Sequence, residues 1–324
     1  MSERIAVVLC NLGGPDSLKA VRPFLFNLFS DPDIFRLPLP WLTQRPFAAL
    51  IAWRREHEAA KGYVAIGGKS PLLEYTRAQA QALQQALANA GEFDVHVCMR
   101  YWHPLTAETV AMLKAKNYAR IILLPLYPQY SITTTGSSYH EFQRQCHKQH
   151  YHPSIKLVQQ WHDQADYQAA IVESLRAEIK KFPDPDPART LLLFSAHGLP
   201  RKVVDRGDPY ERQIRATYDS LRAALAWPHT LLCYQSRVGP LEWLRPYTED
   251  AIREQAAAGF KQMLVYPIAF VSDHVETLFE LGITYADLAR AQGVSHYRVT
   301  PALNNHPRFI EALRSLVLNA MIEP

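Results

Sequence analysis

Three stretches of this chain recur in the same order in its second half, and that recurrence constrains the fold more than any single segment does. Val7–Pro15 (VVLCNLGGP) matches Leu192–Pro200 (LLFSAHGLP), which sets Leu12 opposite His197. Val97–Pro104 (VCMRYWHP) resembles Leu232–Pro240 (LCYQSRVGP), each a strand end followed by an Arg-bearing loop and a proline. Tyr118–Ile132 (YARIILLPLYPQYSI) resembles Phe260–His274 (FKQMLVYPIAFVSDH), with Pro125 opposite Pro267. Within each half, short apolar runs alternate with longer helical stretches, the pattern of parallel sheets covered on both faces. The fold class is therefore α/β with two similar domains. In such sheets ligands bind beyond the carboxyl ends of the strands, so a cleft is expected between the two sets of strand ends.

His197 stands at that address. Leu191–Phe194 reads as a strand buried on both faces, and Ser195, Ala196, His197 and Gly198 follow directly. The plainer alternative is a loop histidine bonded to a neighbouring carbonyl. A second cluster begins after the strand near Lys261–Tyr266. Asp273, Glu276 and Glu280 fall at i, i+3 and i+7 and share one face of an expected helix, with His274 beside them. Carboxylates in a first turn also complement the helix dipole, which is their plainer use. The repeat adds a reason to go further: if the two strands are neighbours, an imidazole and a carboxylate row face the same space. Such a pair suits Fe²⁺ or Zn²⁺ and can move protons. Two ligands with open positions hold an ion in transit and do not make a closed structural site.

Composition removes several other functions. At 324 residues, 48% hydrophobic and 20% charged, the chain is globular and long enough for two cores. A net charge of +4 without a dense Lys/Arg block gives nucleic-acid binding no support. Gly13 and Gly14 belong to neither GxGxxG nor GxxxxGK[ST], so nucleotide binding has none either. The four cysteines are far apart and form no CxxC pair, which fits a reducing cytoplasm. No apolar run reaches membrane-spanning length, and Ile5–Cys10 is too short for a signal peptide. Ile34–Trp53 is broken by Pro38, Pro40 and Pro46 and reads as a loop with a short helix. It either packs into a core or forms an exposed apolar lip over a greasy pocket or against a membrane surface. Hydroxyls in Ser131–Ser138 cap a helix or bind a polar ligand.

NLGGP (Asn11–Pro15), IGGKSPL (Ile66–Leu72), RYWHP (Arg100–Pro104), YPQYSITTTGSS (Tyr127–Ser138), SAHGLP (Ser195–Pro200), QSRVGP (Gln235–Pro240) and FVSDHVETLFEL (Phe270–Leu281) together resemble the ferrochelatase family. The resemblance runs from about residue 5 to PALNNHP at Pro301–Pro307. It implies insertion of Fe²⁺ into protoporphyrin IX, the last step of protoheme synthesis. It also implies two domains, each a four-stranded parallel sheet flanked by helices, with the porphyrin cleft between them. The expected boundaries are 1–158, 159–305 and a last helix at 306–324 that packs back on the first domain. The family's metal-binding histidine and carboxylate fall on His197 and Glu276, and Asp273, His274 and Glu280 match an acidic or proton path. Leu12, Arg100, Tyr101, Tyr130 and Ser131 match residues that hold the macrocycle, with Arg100 expected on a propionate. Residues 34–53 match the lip at the cleft mouth.

Iron enters here as substrate, and no tightly bound cofactor is implied. Some members carry an iron–sulfur cluster on C-terminal cysteines; no cysteine follows Cys233, so none is expected. The absence of a presequence before residue 5 points to a bacterial cytoplasmic form, with peripheral contact on the inner face of the membrane through the lip. Two other activities fit parts of the pattern: a chelatase for coproporphyrin III or sirohydrochlorin, and a tetrapyrrole or haem carrier without catalysis. The apolar lip argues against a more polar macrocycle, and a carrier has little need of the carboxylate row.

Overall fold

Parallel strands cannot be joined by tight turns, so the chain must cross over between them, and it does so with helices. The computed structural model describes residues 4–35 and 37–322. Residues 1–3 of the expected first domain, Arg36 of the expected lip, and residues 323–324 of the expected last helix lie outside them. The chain divides into two units, Met1–Trp161 with Ile310–Pro324, and His162–Phe309.

In the first unit β1 (Ile5–Asn11), β2 (Phe93–Met99), β3 (Arg120–Pro125) and β4 (Ser154–Leu157) form a parallel sheet in the order β2-β1-β3-β4. In the second, β5 (Thr190–His197), β6 (Thr230–Gln235), β7 (Gln262–Tyr266) and β8 (His296–Val299) repeat it as β6-β5-β7-β8. β1 and β5 hold the same inner place. Every residue of β1 is buried, as are all of β5 except His197 at its end, which is why both read as unbroken apolar runs. Each sheet has its own core. One gathers Val8, Cys98, Leu123 and Phe142, the other Leu193, Cys233, Val265 and Tyr285.

The structure corrects the register of the repeat after the second strand. Met99 donates its N–H to the carbonyl of Pro104, and Tyr234 donates to the carbonyl of Pro246, not Pro240. Thr106 and Thr248, two residues on, each meet the strand's cysteine, Cys98 at 3.6 Å and Cys233 at 3.3 Å. Eight residues separate the first of these pairs and fifteen the second. The longer connection, which holds Ser236 and Trp243, misled the alignment because it contains a proline of its own.

A second correction concerns Ile34–Trp53. Helix α1 (Val21–Phe29) is followed by α2 (Pro40–Ala65), a single helix of 26 residues that runs through Pro46. Pro40 sits at the helix start, where a missing N–H costs nothing. Pro46 does forgo one hydrogen bond, but the alanine-, arginine- and glutamate-rich stretch behind it favours helix strongly, and Gln44 Nε2 ties the first turns to the Phe29 carbonyl at 2.9 Å. Ala48 and Ala52 are buried one turn apart. Trp41, Leu42, Leu50 and Trp53 are exposed, as is Leu39 just before the helix.

Candidate active site

β5 ends on His197, paired in register with Gln235 of β6. The chain must then leave the sheet closely packed against β6. Gly198 donates its N–H to the Gln235 carbonyl at 2.9 Å, and a Cβ there would lie 3.0 Å from that same oxygen. His197 Nδ1 is 2.6 Å from the Gly198 carbonyl. A carbonyl only accepts, so Nδ1 carries the hydrogen and the neutral ring presents the Nε2 lone pair. This contact matches the plain reading of His197, a loop histidine on a neighbouring carbonyl, and it leaves Nε2 turned to other partners.

Nε2 of His197 is 3.8 Å from Glu276 Oε2. His274 is arranged alike: its Nδ1 meets the Ser272 carbonyl at 3.1 Å, and its Nε2 is 4.0 Å from that same carboxylate oxygen. Phe270 stands edge-on to both rings, with centroids 6.3 Å from His197 and 4.4 Å from His274. Two imidazole nitrogens and a carboxylate oxygen thus lie near one another at separations too long for direct hydrogen bonds. Among the described residues no group of three or more His, Cys, Asp or Glu side chains is assembled as a metal site.

The acidic stretch is not the regular helix expected. Glu276–Thr284 is π-helical, a form that recurs at functional sites. The three carboxylates do not form one row. Asp273 is buried and accepts from Asn304 Nδ2 (2.7 Å), Thr277 Oγ1 (2.8 Å) and the Ala302 N–H (3.2 Å), which moors the segment to residues 302–304. Glu276 and Glu280 instead share Ser236. Its Oγ lies 3.2 Å from Glu276 Oε2 and 2.5 Å from Glu280 Oε2, while its N–H donates to Glu280 Oε1 at 3.0 Å. Ser236 has φ +64, a left-handed conformation that lets one residue offer both donors to the carboxylates. Tyr285 completes the cage with a hydroxyl 3.0 Å from Glu280 Oε1. Burial, and then the charge of Glu276, push the Glu280 carboxyl above its usual range.

In the first unit three of the residues expected to hold a macrocycle, Leu12, Arg100 and Tyr101, also meet. The Leu12 carbonyl accepts from the Tyr101 N–H at 2.9 Å, and Gly13 behind it has φ +83, with a Cβ there 3.0 Å from the Trp102 nitrogen. Arg100, expected on a propionate, is paired within the chain: its Nη2 is 2.9 Å from Asp31 Oδ2. Tyr101, expected to line a pocket, is buried with its hydroxyl on that same oxygen at 2.5 Å. Ser131 is buried and accepts from the Thr133 N–H, capping a π-helical turn at Ile132–Gly136. A Cβ on Gly136 would lie 3.1 Å from the hydroxyl of half-buried Tyr130.

Sequence reasoning missed Ser236 and Asp31. Ser236 lies within a run singled out for its pattern, and correct alignment of Met99 with Tyr234 places Arg100–Tyr101 opposite Gln235–Ser236. That equivalence would have marked it. Asp31 lies outside every repeat and offered no signal.

A pair of four-stranded parallel sheets in this order, with an imidazole and carboxylates at the strand ends, defines a chelatase-type fold. The sirohydrochlorin chelatase SirB of Bacillus subtilis subspecies spizizenii, solved with cobalt, superposes with a TM-score of 0.57 at 9% identity over 99% of this chain and 97% of its own. CbiX, the terminal enzyme for siroheme biosynthesis in denitrifying bacteria, gives 0.51 at 12% identity over 98% and 99%. The Ferrochelatase family model matches residues 4–321. Ferrochelatases of Gloeothece citriformis and a Synechocystis strain are each 46% identical over 99% of this chain, covering 83% and 84% of their own lengths. The chain belongs to the ferrochelatase family, and it is an enzyme of haem synthesis that inserts iron into a porphyrin.

Proposed function

We propose that the porphyrin is protoporphyrin IX, and that His197 and Glu276 carry the reaction. The observation that carries this reading is the convergence of His197 Nε2 on Glu276 Oε2, with the tautomer set by Gly198. Metallation exchanges two pyrrole N–H protons for one Fe²⁺. Glu276 and the Nε2 lone pair meet the incoming ion; once it has moved to the ring, Nε2 takes one pyrrole proton and the Glu276 carboxylate the other, and both pass on to solvent. Glu280, Ser236 and Tyr285 then form the inner part of a path for ions or protons. His274 supports Glu276 from its other side, and Asp273 anchors the segment. Arg100 takes a propionate with the part of its guanidinium that Asp31 leaves open.

The test is an anaerobic absorbance assay with ferrous iron and three macrocycles in parallel. Many turnovers are expected with protoporphyrin IX and few with coproporphyrin III or sirohydrochlorin. Turnover with one of the latter alone replaces the substrate and keeps the mechanism. Binding without turnover under any metal rejects the enzymatic assignment of these residues.

Peripheral membrane contact has its own support. Trp41 is 79% exposed, Trp53 60% and Leu39 58%. Arginines accompany them: Arg45 lies over Phe26 at 5.5 Å and Arg55 over Phe29 at 5.9 Å. Exposed tryptophan and leucine interleaved with cations is the composition of an interfacial helix. No helix among the described residues is long and apolar enough to cross a membrane. The four cysteines are unpaired and buried, in keeping with a cytoplasmic setting. The protein is expected to co-sediment with vesicles of anionic lipid, and Trp41→Ala with Trp53→Ala to lose that binding while turnover in detergent persists. Equal sedimentation of both proteins rejects the lip as the contact.

A further inference from the structure

Arg100 belongs to a network that reaches well beyond its own loop. Besides the Asp31 contact, its Nε donates to Ser137 Oγ at 2.8 Å. Asp31 Oδ2 also accepts from the hydroxyls of Tyr101 and Ser137, and Oδ1 accepts from the Asp33 N–H at 2.9 Å. The Asp31 side chain is 1% exposed. The carboxylate comes from the connection between α1 and α2. Its donors come from the end of β2 and from the start of α3 (Ser137–Lys148). Asp33, two residues on, meets His140 of the same helix at 2.9 Å.

Apolar packing would fasten these elements as well, but it would not fix the rotation of a guanidinium. A buried carboxylate does, because charge-assisted hydrogen bonds are directional. Nη2 faces Asp31 and Nε faces Ser137. Nη1 takes part in neither of these two contacts, and the guanidinium carbon lies 4.8 Å over the Tyr101 ring. The side chain is 14% exposed.

We propose that Asp31 is a positioning residue for porphyrin binding, which holds Arg100 so that Nη1 is left for a substrate carboxylate. This rests on the reading of Arg100 as a propionate partner. A rival role for Asp31 predicts the opposite sign: were it only a competitor for the guanidinium charge, its removal would tighten porphyrin binding.

The experiment measures KM for protoporphyrin IX and for its dimethyl ester, whose neutral side chains cannot pair with a cation, in folded Asp31→Asn, Ser137→Ala and Arg100→Leu. Asp31→Asn is expected to raise KM for the free acid about tenfold, the scale of one charge-assisted hydrogen bond, with kcat, iron KM and ester KM unchanged. Ser137→Ala keeps the ion pair and is expected to raise the free-acid KM about threefold, again without touching the ester. A rise shared by acid and ester in Asp31→Asn means a purely structural role and overturns the proposal. So does a free-acid KM that falls or stays put. An acid-selective loss in Arg100→Leu without one in Asp31→Asn overturns this proposal alone, whereas an inert Arg100→Leu overturns the propionate reading and this one with it. Should Asp31→Asn fail to fold, Ser137→Ala decides: a rise confined to the free acid supports the proposal and its absence overturns it.

Discussion

His197→Ala is expected to lower kcat by about a hundred- to ten-thousandfold, the contribution of a positioned acid–base group, and to leave porphyrin affinity near its original value. With Nδ1–H held by the Gly198 carbonyl at 2.6 Å, Nε2 is a fixed lone pair beside Glu276, and the pyrrole protons need such an acceptor as the metal arrives. His274 offers a second Nε2 at a similar distance from the same oxygen, but its side chain is 8% exposed against 34% for His197. It therefore lacks the access of His197 to a bulky substrate. The measurement pairs anaerobic turnover with porphyrin affinity by fluorescence quenching. Near-normal turnover, or loss of affinity equal to the loss of rate, would remove His197 from the reaction.

Glu276→Gln has the second largest expected effect, a rise of at least about ten- to a hundredfold in the KM for iron, since even a supporting partner of a metal ligand is worth that much. Glu280→Gln should raise it less, because Glu280 is one step further from His197 and is joined to Glu276 through Ser236. The two variants separate again on stability. Burial and the Glu276 charge raise the Glu280 carboxyl in the folded chain, so between its ordinary range and the raised one the folded state binds the extra proton. Stability accordingly falls as pH rises through that interval. In metal-free protein, Glu280→Gln is expected to flatten that fall, as read by thermal unfolding across pH. A parallel and undiminished slope, or an iron KM equal in both variants, would show that neither carboxylate is privileged.

The repeat disclosed the doubled α/β architecture and the position of His197, because buried parallel strands leave continuous apolar runs and abrupt ends. Two kinds of feature stayed hidden. A proline-bearing stretch became helix because the residues beyond Pro46 favour helix more strongly than one missing hydrogen bond opposes it. The acidic stripe read correctly as a cluster but wrongly as a row. Its periodicity assumed 3.6 residues per turn, whereas the chain widens to a π-helix from Glu276 and turns Asp273 to a structural anchorage. Partners reached from distant loops, such as Asp31 for Arg100, left no trace, since the pairing depends on tertiary closure and not on spacing.

The hydrogen bond between His197 and the carbonyl beside it has a consequence for what mutation can do to this protein. Histidines that serve as bases or metal ligands are often oriented by a carboxylate side chain, which a single codon change deletes. Here the acceptor belongs to the main chain, so every amino acid at position 198 still supplies it. Substitution there acts only through crowding against the Gln235 carbonyl and Trp243. The tautomer of the ring is thus encoded in the course of the backbone, and point mutation reaches it most directly by removing the imidazole or by bending the strand end.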